Sequence, residues 1–233
     1  MSTDKLYADW LLMGKRYTSN EGLLKDVYDK LIAAYNESNR YYHGLIHVIN
    51  LLHAAEEEYV LQIPDDIFYA IWFHDAVYNS VGDNEGKSAK LAAKYLPLMQ
   101  VPASVISRVE AMILKTANHL DAVAGNEHEA FFLDADMAIL GTATEVYDKY
   151  QQAVRKEYRI YPDIVYNMGR RKFLTKALAD RATELRNVEV CHLHTEGPAP
   201  YANIELADSF HVNSFFIGAN VRHTLTAGNG SYT

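Results

Sequence analysis

The chain has a single cysteine, Cys191, in 233 residues. An intrachain disulfide is therefore impossible, and the thiol content fits a reducing compartment. No apolar run reaches the roughly 20 residues that a bilayer-spanning helix needs. The start, Met1-Ser2-Thr3-Asp4-Lys5, has no basic segment leading into an apolar one. These absences set the expectation of a cytoplasmic protein with no membrane partner. A long basic run is also missing, and the net charge is −8. That balance argues against nonspecific binding to nucleic acid or anionic lipid. It leaves room for a small anionic substrate, because a metal ion and a few arginines can reverse the field inside one pocket. Strand-like alternation is not found before residue 187.

What is present reads as helix after helix. Residues 4–17 carry Leu6, Trp10 and Met13 at helical spacing, and 22–36 repeat the stripe with Leu23, Leu24, Val27, Leu31 and Ile32. Further helices are predicted over 44–61, from Pro64 through His74-Asp75, and over 85–96, 102–115, 130–140, 144–159 and 162–186. Pro64-Asp65-Asp66 is a favourable helix start, with proline and acids in the first turn. The expected class is all-α, held by helix-on-helix packing, and 49% hydrophobic residues are enough to fill its core. Composition changes near residue 187. Beyond it the only charged residues are Glu189, Glu196, Glu205, Asp208 and Arg222, and lysine is gone. We read 1–187 as the helical core and 188–233 as a C-terminal tail to which no secondary structure is assigned.

Three segments place histidine or aspartate in strongly apolar surroundings. They are Tyr41-Tyr42-His43-Gly44-Leu45-Ile46-His47-Val48, Trp72-Phe73-His74-Asp75-Ala76-Val77-Tyr78 and Phe132-Leu133-Asp134-Ala135-Asp136. A carboxylate or imidazole buried there must be hydrogen-bonded, paired or metal-bound, since leaving it unsatisfied costs about several kcal/mol. Any one of them could be a satisfied core polar group. Together, a histidine, a His-Asp doublet and a later aspartate form a mixed nitrogen and oxygen donor set suited to a divalent ion such as Mn, Fe, Co, Ni or Zn. His43 and His47 are four apart, which on a helix puts them on one face. His74 and Asp75, about 100° apart on a helix, reach one ion only if other helices supply the remaining donors. Asp134 and Asp136 are about 200° apart and cannot both face it, and spacing does not choose between them.

These segments match a known pattern. With Arg40-Tyr41-Tyr42-His43, Asn84-Glu85, Thr116…His119, Leu140-Gly141 and Val154-Arg155-Lys156-Glu157-Tyr158 added, the chain resembles the HD-domain superfamily of metal-dependent phosphohydrolases. More narrowly, it resembles the small stand-alone members of that superfamily, over roughly residues 5–180. The resemblance implies an HD-domain helical bundle with a metal site between core helices. It implies His47, His74, Asp75 and Asp136 as metal ligands, Asp136 being favoured over Asp134, with Asp75 also placed to bridge a second metal or orient an attacking water. The cofactor would be a divalent ion among Mn, Mg, Fe, Co, Ni and Zn. The partner would be a small phosphorylated substrate such as a nucleotide, cleaved at a monoester or a pyrophosphate linkage. A homo-oligomer is compatible with this. The short helical stretch that the family has after its domain is not found in 188–233.

Other residues border the set. His43 is read as a catalytic candidate that either supports the ligands from behind or faces the substrate, and Glu85 and His119 as candidates to orient or deprotonate water. Glu85 equally suits the positive end of a helix, and His119 could complete a second metal position. Arg40, Lys115 and Arg155 are the candidate cations for phosphate, with Arg159 and Arg170-Arg171-Lys172 behind them. His192-Leu193-His194 lacks partners at a metal-binding spacing. Two other functions compete. One is an HD-fold di-iron oxygenase, marked by stable iron and an O2-dependent reaction. The other is a non-catalytic nucleotide- or metal-binding module, marked by binding without turnover.

Overall fold

The computed structural model describes residues 3–185, 193–194 and 205–206. Among these the expected all-α class holds. The helices are α1 (Thr3–Gly14), α2 (Glu21–Tyr35), α3 (Leu45–Glu58), α4 (Asp65–Phe73), α5 (Asn84–Tyr95), α6 (Ala103–Lys115), α7 (Glu127–Met137), α8 (Thr144–Glu157) and α9 (Asp163–Leu185). Short 3-10 turns follow α6 at Thr116–Asn118 and α7 at Ala138–Gly141. Two two-residue strands, β1 (Leu193–His194) and β2 (Glu205–Leu206), pair antiparallel within the stretch read as a tail. The rest of 188–233 lies outside the described residues.

Helix α4 is the axis of the bundle. Its sequence is apolar on every side after the first turn, a pattern satisfied only by an element surrounded by others. Helices α3, α5, α6 and α7 pack around it. From α1, the Trp10 ring meets Phe68, Tyr69, Trp72 and Phe73 at centroid distances between 5.5 and 6.5 Å. Its indole N–H donates to the Leu24 carbonyl at 2.8 Å, tying α1 to α2. Local capping matches the sequence. The Asn20, Asp83 and Asn126 side chains each accept a backbone N–H in the first turn of α2, α5 and α7. At the start of α4 the buried Asp66 carboxylate takes Arg108 Nε at 2.5 Å and His128 Nδ1 at 3.0 Å, pinning the axis to α6 and α7.

A second, tyrosine-rich cluster joins α8, α9 and the turn at Ala138–Gly141. It contains Leu140, Tyr147, Tyr150, Val154, Tyr166 and Leu174, with Tyr42 packed against it. Two helix boundaries differ from expectation in ways that matter for chemistry. Helix α4 stops at Phe73, so His74-Asp75 lies on the turn that follows and not on the helix. Arg40 braces the turn that follows. Its guanidinium takes the Asp75 and Ala76 carbonyls, which could otherwise continue a helical ladder. Helix α3 begins at Leu45, so His43 sits in the turn before it, and the helical-face argument for His43 and His47 does not apply.

Candidate metal centre

The donor atoms of His47, His74 and Asp136 converge, all within 4.8 Å of one another. His47 comes from α3, His74 from the end of α4 and Asp136 from α7. His47 Nε2 lies 2.8 Å from Asp136 Oδ1 and 3.1 Å from His74 Nε2, and His74 Nε2 is 3.8 Å from Asp136 Oδ1. Asp75 adds its Oδ2 at 3.3 Å from His74 Nε2. His119, on the loop after α6, approaches the other Asp136 oxygen, Nε2 to Oδ2, at 2.6 Å. Because α7 runs through Met137, Asp134 and Asp136 diverge on it, and it is Asp136 that joins the cluster.

These residues fit a divalent ion. Donors held at about 2.0–2.2 Å from one centre stand roughly 3.0–3.5 Å apart, close to the separations here. Two imidazole nitrogens facing each other at 3.1 Å require a proton or a cation between them. His74 Nδ1 donates to the Ile71 carbonyl at 2.9 Å, which turns Nε2 toward the cluster. Metal-binding histidines are oriented by such outer contacts. The Phe132 ring meets His74 edge-on at 5.7 Å and closes the site from the core side. The charge also matches, since two neutral imidazoles and two carboxylates leave two negative charges for one divalent ion.

The electrostatics follow from this crowding. Burial alone would push the His74 imidazole down, but Asp75, Asp136 and the Ile71 carbonyl outweigh it and raise its pKa to about 9. Burial would raise Asp75, yet His74, with His43 and His47, holds its carboxyl below the usual range. Asp136 is likewise held well below it, burial being outweighed by the His119 and His47 contacts.

The rim is built around Glu157, which sequence reading did not assign to the site. Its buried Oε1 accepts the backbone N–H groups of Tyr41, Tyr42 and His43 at 2.7, 2.7 and 3.0 Å. Its Oε2 takes His43 Nδ1 at 2.7 Å and the Tyr78 hydroxyl at 3.1 Å. Burial works to raise its pKa, and the His43 contact and the backbone donors lower it. His43 moves up, since Glu157 and the nearby carboxylates outweigh its desolvation. A signal for Glu157 was present in the sequence. The buried positions of α8 are Tyr147, Tyr150, Val154 and Glu157, an apolar stripe that ends on a carboxylate.

The three cations predicted to bind phosphate are all committed to the protein itself. Arg40, its side chain 1% exposed, donates to the His43, Asp75 and Ala76 carbonyls and to Glu37. Lys115 donates to the Val123 carbonyl and pairs with Glu129. Arg155 binds Asp163 and the carbonyls of Tyr158 and Tyr161. Their partners come from distant or looped segments, which residue spacing does not reveal. Glu85 sits in the first turn of α5 and is outside the ligand cluster, whereas His119 reaches Asp136. No helix among the described residues is long and apolar enough to cross a membrane. Comparison of the chain with family models, with curated proteins and with solved structures gave no match.

Proposed function

We propose that the chain is a metal-dependent phosphohydrolase acting on a nucleotide or related small phosphoester. The observation that carries this reading is the convergence of His47, His74 and Asp136, from three different segments, on one point, with Asp75 alongside His74. His47, His74 and Asp136 would hold the ion and Asp75 would complete the set. When bound, a divalent ion supplies Lewis acidity, bringing water ionisation toward neutral pH and offsetting charge on phosphoryl oxygens. The protein does the rest. Phe132 and the core behind it exclude water from one side. The Asp75 carboxylate, whose Oδ2 lies 3.3 Å from His74 Nε2, is the acceptor that orients a water. The resemblance of these segments to the HD-domain phosphohydrolases supports the same conclusion.

The test is release of phosphate and pyrophosphate from a panel of nucleoside mono-, di- and triphosphates with Mn²⁺ or Mg²⁺ present. Release is expected to need both the ion and Asp75, so Asp75→Ala should fall to background. Protein shown by elemental analysis to hold metal, yet releasing no more than Asp75→Ala, would overturn the proposal.

A further inference from the structure

We propose that Tyr41, Lys156 and Arg159 form an anion site on the rim of the metal centre, and that it holds a second phosphate of the substrate, away from the one that is cleaved. That the anion belongs to a substrate rests on the phosphohydrolase reading; the anion site itself does not.

The three side chains come from two segments far apart in the chain. Tyr41 stands two residues before His43, in the turn whose N–H groups at Tyr41, Tyr42 and His43 are gathered by Glu157 Oε1. The His43 ring lies 5.8 Å from the ring of His47, so this turn borders the ligand cluster. Lys156 is in the last turn of α8, beside Glu157, and Arg159 follows that helix. Glu157 thus fastens Tyr41 next to both cations. Arg159 Nη1 donates to the Tyr41 hydroxyl at 3.0 Å, and Lys156 Nζ stands 5.7 Å from the centroid of the same ring.

What this group lacks is an acceptor. The Tyr41 oxygen takes the Arg159 N–H, so the phenol proton points elsewhere, and among the described residues nothing accepts it. Among those residues neither Lys156 nor Arg159 pairs with a carboxylate, in contrast to Arg16, Arg108, Lys115 and Arg155. Both oxygens of Glu157 are already engaged, and Glu37 is held by Arg40. Two uncompensated positive charges therefore meet on one tyrosine, in a chain of net charge −8. The negative end of α8 accounts for a lysine in its last turn. It does not account for Arg159, which lies beyond the helix and reaches a residue 118 positions earlier. A guanidinium fork, an ammonium and a hydroxyl proton are the donors that a phosphate group takes. The site is open to a ligand, since Tyr41 is 45% exposed and both cations are exposed. The internal commitment of Arg40, Lys115 and Arg155 leaves this task to the rim.

Two measurements on the full-length protein test the proposal. Without divalent ion, NMR resonances of the Arg159 guanidinium and the Tyr41 ring should shift and saturate as inorganic phosphate is added. Chloride at equal ionic strength should not reproduce this, and Arg159→Gln should abolish the Tyr41 shift. With Mn²⁺ present, kinetics then compare nucleoside 5′-monophosphates, 5′-diphosphates and 3′,5′-bisphosphates. The wild type should favour one of the doubly phosphorylated forms, and which one it favours locates the second phosphate. Arg159→Gln should raise that KM by about 10-fold or more, as expected for a lost charge-assisted contact, and leave kcat and the monophosphate KM within about twofold. The gap should narrow in about 0.5 M salt, because the contact is exposed. Lys156→Gln and Tyr41→Phe should act in the same direction. Metal affinity should not change in any of them. If Arg159→Gln does not fold, Arg159→Lys, which keeps the charge and loses the fork, carries the same comparison.

An absent shift, or one that persists in Arg159→Gln, overturns the anion site and marks any bound phosphate as an adventitious ion only. A wild type with no preference for either doubly phosphorylated form, or a KM raised equally for the monophosphate, overturns the second-phosphate role. Wild-type protein that releases no phosphate refutes the parent reading and the substrate role together, while the phosphate titration still decides the anion site.

Discussion

Replacing Arg40 with lysine should cost stability, not substrate affinity. The Arg40 side chain is 1% exposed. Its two terminal nitrogens reach the carbonyls of His43, Asp75 and Ala76. Its guanidinium lies 5.2 Å from the Tyr35 ring centroid and 5.6 Å from that of Tyr78. Lysine carries a point charge on a narrower head and can serve one of these carbonyls well. Two bonds to a charged donor are then lost, each worth about 1.5 kcal/mol at the low end. The expected cost is about 3 kcal/mol, or a melting temperature lower by about 6–12 °C for a chain of this size. Urea denaturation should show a lower midpoint at an unchanged slope. Because one freed carbonyl belongs to Asp75, metal affinity should also weaken, by roughly 10-fold or more, as when an outer support of a ligand is removed. Stability within about 0.5 kcal/mol of wild type, together with a raised KM for a phosphorylated substrate, would refute this reasoning and return Arg40 to substrate binding.

Calorimetric titration with Mn²⁺ or Zn²⁺ should find binding abolished by Asp136→Asn and nearly unchanged by Asp134→Asn, since only Asp136 faces the two imidazoles. Metal at 100 times its dissociation constant should stabilise the fold by about 2.7 kcal/mol, and His47→Ala should remove that shift in a thermal melt. Asp66 has a pKa below its ordinary value, since the His128 and Arg108 contacts outweigh its burial. Its contribution to stability is therefore complete above about pH 4, where the unfolded carboxyl ionises, and fades as pH falls through the lower folded value. Wild type should exceed Asp66→Asn in urea midpoint at pH 7, with the gap closing below about pH 4; a gap independent of pH would contradict the assignment. Gln100 holds a φ of 61° after α5. Gln100→Gly should raise the thermal midpoint slightly, by up to about 1 kcal/mol of stability, because glycine enters that region without the side-chain penalty.

Helical periodicity made most of the bundle legible. The stripe at Leu6, Trp10 and Met13 and the all-apolar run of α4 both lead directly to buried faces. The candidate ligands His47 and His74 were legible for a different reason: they are polar residues inside apolar runs, and burial had to give them partners, whereas Asp136 was preferred over Asp134 only through the resemblance. What periodicity could not supply was the point where a helix yields to a competing donor. Arg40 holds the turn after α4 through the Asp75 carbonyl, 35 residues away, and nothing near Phe73 announces it. The partners of Lys115 and Arg155 lie only 3 to 14 residues away, across turns that helical periodicity does not describe. Glu157 is the instructive miss. Its place on the buried stripe of α8 was visible, but its partners, more than 110 residues earlier, were not.

The two tryptophans of the chain, Trp10 and Trp72, lie 5.5 Å apart in the core around α4. The cluster of α8 and α9 is built instead on Tyr147, Tyr150 and Tyr166. The indoles thus label one of the two clusters and not the other. Emission excited at the red edge of the indole band reports the α1–α4 core and is silent about α8, the helix that carries Glu157. Tyrosine ultraviolet absorbance covers both clusters, since Tyr28, Tyr35 and Tyr69 lie in the first core, so a tyrosine change that precedes the indole change comes from outside the tryptophan neighbourhood. If the two signals coincide in denaturant, the rim and the ligand-bearing core melt as one cooperative unit. If tyrosine changes first, the rim opens while the ligand cluster is still assembled, and access to the site becomes a local unfolding event.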